Sequence, residues 1–168
     1  MDTTICTIGF AGKTAEEFFR LLTEAGVKKV IDIRENRGGQ LSGFAKYPDL
    51  AFFLQRIAGI TYAHEPRLAP SPEIRTAYRE SKDWSMYESA FLQLMRDRDI
   101  PNALEPLQMD GTVALLCSEP GPEKCHRRLV AELLAGRLRG HGHAATVRHL
   151  VIEKPSRPRG KKNKRTVP

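Results

Sequence analysis

The chain has 168 residues with 40% hydrophobic content and seven phenylalanines, enough for one domain with a real core. No apolar run approaches the roughly 20 residues of a membrane span, and MDTTICTIGF lacks a basic segment ahead of an apolar core, so neither a membrane partner nor a signal peptide is expected. Three cysteines point to a reducing compartment, and hence the cytoplasm, rather than a disulfide framework, while the net charge of +7 directs attention to anionic partners.

Residues Thr3 to Gly9 read as a first strand closed by the loop Gly9-Phe10-Ala11-Gly12. Thr14 and Glu17 then form a capping box for a helix whose face is Phe18, Leu21, Leu22 and Ala25, with Gly26 as its stop. Val27 to Arg34 is a second strand ending in Asp32-Ile33-Arg34, followed by a glycine-rich loop from Glu35 to Phe44. Pro48 opens a helix carrying Leu50, Phe53, Leu54 and Ile57 and stopped at Gly59. Ile60 to Ala63 is a short third strand leading into His64-Glu65-Pro66.

A helical insertion comes next. Ser71-Pro72 starts a helix over roughly residues 72–81, and Asp83 or Ser85 caps a longer one with the stripe Trp84, Tyr87, Phe91, Leu94 and Met95. Asp110-Gly111 turns the chain into strand four, Val113 to Cys117. After Glu119-Pro120-Gly121-Pro122 a helix restarts at Cys125-His126-Arg127, with Leu129, Val130, Leu133, Leu134 and Leu138 on one side. At about 100° per residue His126 and Arg127 share that side, whereas Arg128 points away and is placed to pair with Glu132. Gly140 to His143 form a loop before a last strand, Ala145 to Ile152.

Strands alternating with helices define an α/β fold: a parallel, Rossmann-like sheet of about five strands, helices on both faces, and the helical insertion before strand four. Residues 1–152 form this single domain, and residues 153–168 are a basic tail expected to be disordered in isolation. From position 154 on, the tail holds Lys154, Arg157, Arg159, Lys161, Lys162, Lys164 and Arg165 and no acid. Setting these seven aside leaves the body with as many bases as its 20 acids, so the tail carries the imbalance. Through the tail, nucleic acid is a partner to consider, held by phosphate contacts that salt weakens; the alternative is a solubilising extension.

In parallel sheets ligands bind outside the carboxyl ends of the strands. That edge carries Gly9 to Gly12, Asp32 with Arg34, His64 with Glu65, Cys117 with Glu119, and His149, and the helix start adds Cys125, His126 and Arg127. Unpaired N–H groups at a helix start favour an anion or a thiolate, so a cysteine beside a histidine and an arginine there is a candidate for a lowered pKa.

Other chemistries fit less well. GFAGKT resembles the end of a Walker A loop, but the first glycine of that motif would fall on Thr7. A phosphatase-type loop needs an arginine six residues after its cysteine, where this chain has Glu123 or Ala131. Seven residues between Cys117 and Cys125 is not a common zinc knuckle, so no metal and no cofactor is assigned. A thiol pair cycling through a disulfide and a plain packing role for Cys117 both stay open.

TIGFAG, the DIR after strand two, GITYAHEPRLAP, LLCSE followed by CHRRLVAELL, and VRHL together resemble the domain of unknown function 488 family over roughly residues 4–152. The most specific marks are Cys-x-Glu followed by Cys-His-Arg, and then TIG(Y/F)-x-G. The resemblance implies an α/β fold and places Gly9, Gly12, Asp32, Arg34, Tyr62, Cys117, Glu119, Cys125, His126, Arg127 and His149 at the family's shared positions. Many members carry Leu-Gly-Gly after the third strand where this chain has Leu68-Ala69-Pro70, a departure that sets it apart as a subgroup with the insertion. The family supplies no established reaction.

Three functions follow as expectations. The first is an enzyme acting on a small anionic, nucleotide-like ligand, with Cys117, Cys125, Asp32, Glu119 and His126 as candidate catalytic groups and Gly9, Gly12, Arg34, Tyr62, Arg127 and His149 as candidate binding groups. The second is a nucleic-acid module whose affinity comes from the tail, and the third a non-catalytic protein in which these groups only bond one another. The first requires the thiols, Arg127 and the Asp32/Arg34 pair to share one open depression.

Overall fold

The computed structural model describes residues 2–38, 42–100, 109 and 111–152. The Asp110 half of the expected Asp110-Gly111 turn and the tail from 153 on, with its seven basic residues, lie outside the described residues. In chain order the elements are β1 (Thr3–Gly9), α1 (Ala15–Glu24), β2 (Lys29–Asp32), α2 (Asp49–Ala58), β3 (Thr61–His64), α3 (Pro72–Ser81), α4 (Trp84–Asp97), β4 (Thr112–Cys117), α5 (His126–Gly140) and β5 (Ala145–His149). Single 3-10 turns stand at Gly43–Ala45 and Pro66–Leu68.

The local chemistry explains where these elements begin and end. The Thr14 Oγ1 accepts from the Glu17 N–H while the Glu17 carboxylate accepts from the Thr14 N–H, so the capping box starts α1. Ser71 and Asp83 cap α3 and α4 by accepting from the Ile74 and Met86 N–H, without the reciprocal half of a box, and Gly59 ends α2 in the left-handed conformation at φ 61°. Cys125 occupies the cap position of α5 but its thiol makes no capping hydrogen bond.

All five strands are parallel, in the order β3-β2-β4-β1-β5. The register aligns the carboxyl ends: Gly9 lies beside Cys117, Leu116 beside Asp32, and Asp32 beside His64. One face is covered by α1 and α2, through Phe18, Phe19, Leu22, Leu50 and Leu54 on Cys6, Ile8, Val30 and Leu116. The other is covered by α4 and α5, through Phe91, Met95, Leu129, Val130 and Leu134 on Ile5, Ile31, Val113 and Leu115. The neighbours β1 and β4 thus send their following helices to opposite faces, which makes their ends the switch point where α/β sheets hold ligands.

Several boundaries differ from the sequence pattern. β2 spans four residues rather than eight, because Ile33 and Arg34 leave the ladder to build the rim. β5 stops at His149 rather than Ile152, although the Leu150 N–H still reaches the Thr7 carbonyl. On α2 only Leu50 and Leu54 are buried; Ile57 is 60% exposed, because it faces the groove between α1 and α2 rather than the sheet. No helix among the described residues is long and apolar enough to cross a membrane.

Candidate functional site

Pleat alternation decides what meets what at the carboxyl edge. On β4, Cys117 continues the line of Val113 and Leu115 and faces α4 and α5. On β2, Asp32 continues the line of Val30 and faces α1 and α2. The sheet therefore separates the thiols from Asp32, and two clusters form instead of one.

The first cluster centres on Arg127, whose side chain is completely buried. Its Nη1 donates to the Glu119 carbonyl at 2.5 Å and to the Cys117 Sγ at 2.9 Å, and its Nη2 reaches the Pro120 carbonyl at 3.4 Å. Arg127 thus holds the β4–α5 turn against the strand end. Gly9 makes room for this, since a Cβ there would overlap the Glu119 carbonyl and stand 2.7 Å from the Arg127 Nη1. The two thiols lie 3.1 Å apart, Cys117 fully buried and Cys125 2% exposed. Burial alone would raise the Cys117 pKa, but the Cys125 hydrogen bond and the Arg127 charge outweigh it and bring the thiol down from its ordinary value. The Cys125 thiol is pushed up, first because it donates to Cys117 and then because it is buried.

The second cluster is a buried ion pair. Arg34 donates from its Nε and Nη2 to the two oxygens of Asp32 at 2.8 and 2.7 Å, and from Nη2 to the Ala45 carbonyl at 2.9 Å. The Tyr62 hydroxyl donates to the Asp32 Oδ2 at 2.8 Å, and burial raises the phenol to about 12. The Arg34 guanidinium also stacks 5.2 Å from the Phe10 ring centre, while the His64 Nε2 lies 2.8 Å from the Arg34 carbonyl oxygen.

A cavity of about 560 Å³ opens on the thiol-bearing face, between the ends of β2 and β4 and the start of α5. Arg34, Glu119, Cys125 and His126 line it, together with Arg75, Tyr78 and Arg79 of α3, Tyr87 of α4, and Lys124. With Arg34 paired to Asp32 and Arg75 to Glu35, Arg79 and Lys124 stand against Glu119 and leave it a small positive balance. The His126 ring packs edge-on against Phe91, and its Nε2 is buried without a hydrogen-bond partner. Burial lowers its pKa to about 4, so the ring is neutral at neutral pH. Of the wall residues, Tyr87 stacks on Trp84 and Phe91, and Tyr78 meets Trp84 edge-on.

Of the remaining expected residues, Asp32 and Tyr62 stand behind the cavity in the ion-pair cluster, and Gly12 turns its loop at φ 72°. His149 lies past β1, its Nδ1 2.8 Å from the Thr7 hydroxyl, and does not line the cavity. Sequence reasoning missed Arg75, Tyr78, Arg79 and Lys124; the i, i+4 arginines flanking a tyrosine on α3 were the available signal. Among the described residues no group of three or more His, Cys, Asp or Glu converges as metal ligands would.

A parallel α/β sheet with a cysteine-bearing cavity at the carboxyl ends of its strands is the class of protein that these observations define. Residues 14–134 match the family described as domain of unknown function DUF488, and the chain belongs to that family. No curated protein and no solved structure matches the chain.

Proposed function

We propose that this protein is an enzyme acting on a small anionic, nucleotide-like substrate bound in the 560 Å³ cavity. The observation that carries the reading is that Cys125 and His126 together line one cavity whose balance is positive. Arg79 and Lys124, with the first N–H groups of α5, hold the anion, while the Tyr78 ring borders the space beside it. The Cys117 thiolate, favoured by Arg127, is the base 3.1 Å from Cys125 and takes its proton only as the Cys125 sulfur attacks. Glu119 at the rim and His126 below it serve the substrate's protons.

Two assays test this. Inorganic phosphate and nucleoside monophosphates at low ionic strength should raise the melting temperature of the protein, and the double variant Arg79→Ala/Lys124→Ala should lose most of the rise. Cys125 should also be alkylated faster by anionic iodoacetate than by neutral iodoacetamide, relative to the same ratio in that variant. An unchanged melting response together with an unchanged alkylation ratio would reject the reading.

A further inference from the structure

Cys117 closes β4 and Cys125 precedes α5, so the chain leaves the sheet, turns, and lays its second sulfur 3.1 Å from the first. Neither thiol is in a disulfide. Because only seven residues separate the pair, joining them costs little additional chain entropy. The Arg127 Nη1 lies 2.9 Å from the Cys117 Sγ and 3.7 Å from the Cys125 Sγ, so negative charge on either sulfur faces a guanidinium. Their access differs: Cys125 lines the cavity, whereas Cys117 is enclosed between Cys125, Arg127 and the sheet. Cys6, the third cysteine, is buried on the other face. A contacting pair with one reachable and one enclosed sulfur is the arrangement in which the first reacts and the second resolves.

We infer that Cys117 and Cys125 are a dithiol/disulfide couple oxidised by hydrogen peroxide entering through the cavity, with Cys125 reacting first and Cys117 resolving. In the first step the Cys125 thiolate attacks one peroxide oxygen. An S–O bond forms, the O–O bond breaks, and the departing hydroxide takes up the proton given off when the thiol ionised, leaving a sulfenic acid and one water. In the second step the Cys117 sulfur attacks the Cys125 sulfur. The S–S bond forms, the S–O bond breaks, and hydroxide leaves with the Cys117 proton as a second water. Two thiols and one peroxide thus give one disulfide and two waters, the sulfurs losing the two electrons that the peroxide gains. A small dithiol reverses the change by exchange. The inference uses the cavity as an entrance and does not depend on its holding an anion.

The experiment uses the full chain, reduced, freed of reductant and exposed to one equivalent of hydrogen peroxide, then alkylated in denaturant. Trypsin cuts after Lys124 and separates the two cysteines, so a bond between them shows as a pair of joined peptides. The expected result is loss of two thiols per peroxide consumed, with Cys117 joined to Cys125 and Cys6 still alkylated. Cys117→Ser should accumulate sulfenic and then sulfinic acid at Cys125, and Cys125→Ser should leave Cys117 reduced. The wild-type stoichiometry needs no variant to fold. Sulfinic acid at Cys125 of the wild type without a disulfide, or three thiols all left intact, would overturn the inference. A phosphate-induced melting shift measured on the same reduced sample reports on the anion reading separately, so either idea can fail alone.

Discussion

Replacing Arg127 by methionine isolates the work of its guanidinium, since the thioether side chain fills much of the same buried space. The arginine is wholly enclosed, with two close hydrogen bonds, to the Glu119 carbonyl at 2.5 Å and the Cys117 sulfur at 2.9 Å, and a longer one to the Pro120 carbonyl. A hydrogen bond from a charged donor contributes about 1.5–3 kcal/mol, and acceptors left without a partner lose their hydration as well. Its Nε is buried without a partner, which subtracts from the gain. The balance is a loss of about 3–5 kcal/mol, the range seen when a buried charged group is removed from its partners. With a urea slope of about 2 kcal/mol per molar, the unfolding midpoint should fall by about 2 M under reducing conditions. A midpoint lowered by less than about 0.5 M at unchanged slope would mean that the guanidinium does not hold the turn.

Two further outcomes follow from the same geometry. His126 has a folded pKa of about 4 against 6.5 in the unfolded chain, so between those values the unfolded state binds the extra proton and stability falls as pH drops. The loss attributable to this ring from pH 7 to pH 4 is about 3 kcal/mol, and His126→Phe should flatten the stability–pH curve by that amount in urea titrations; parallel curves would refute it. Gly9→Ala puts a methyl group into the Glu119 carbonyl and the pinned Arg127, so it should cost at least the ~1–3 kcal/mol typical of overpacking, and more than Gly12→Ala, where the space is open and only the φ of 72° is strained. Equal melting temperatures for the two alanine variants would contradict that ranking.

The local grammar of the sequence carried through to the structure where interactions are short-range. The Thr14/Glu17 capping box, the αL stop at Gly59 and the Arg128–Glu132 pair at 3.1 Å all depend on residues within one turn of each other. The aromatic stripe of α4 was visible for the same reason, and the strand–helix alternation was enough for the parallel α/β class. Register was not visible. Asp32 pairs with Leu116, and a shift of one residue would have put it level with Cys117 and on the same face, as the expectation of one shared depression required. The cavity's α3 wall was also hidden, because a half-polar helix shows by itself neither which strand ends it will overlie nor that Arg75 and Arg79 will face them.

The helix α3 buries none of its residues, while across the cavity Cys125 is almost completely buried and the neighbouring Arg127 is bonded to the turn and to the strand end. One bank is therefore fixed and the other lightly seated. Substitutions along α3 should reshape the cavity's outer wall without disturbing the two sulfurs opposite.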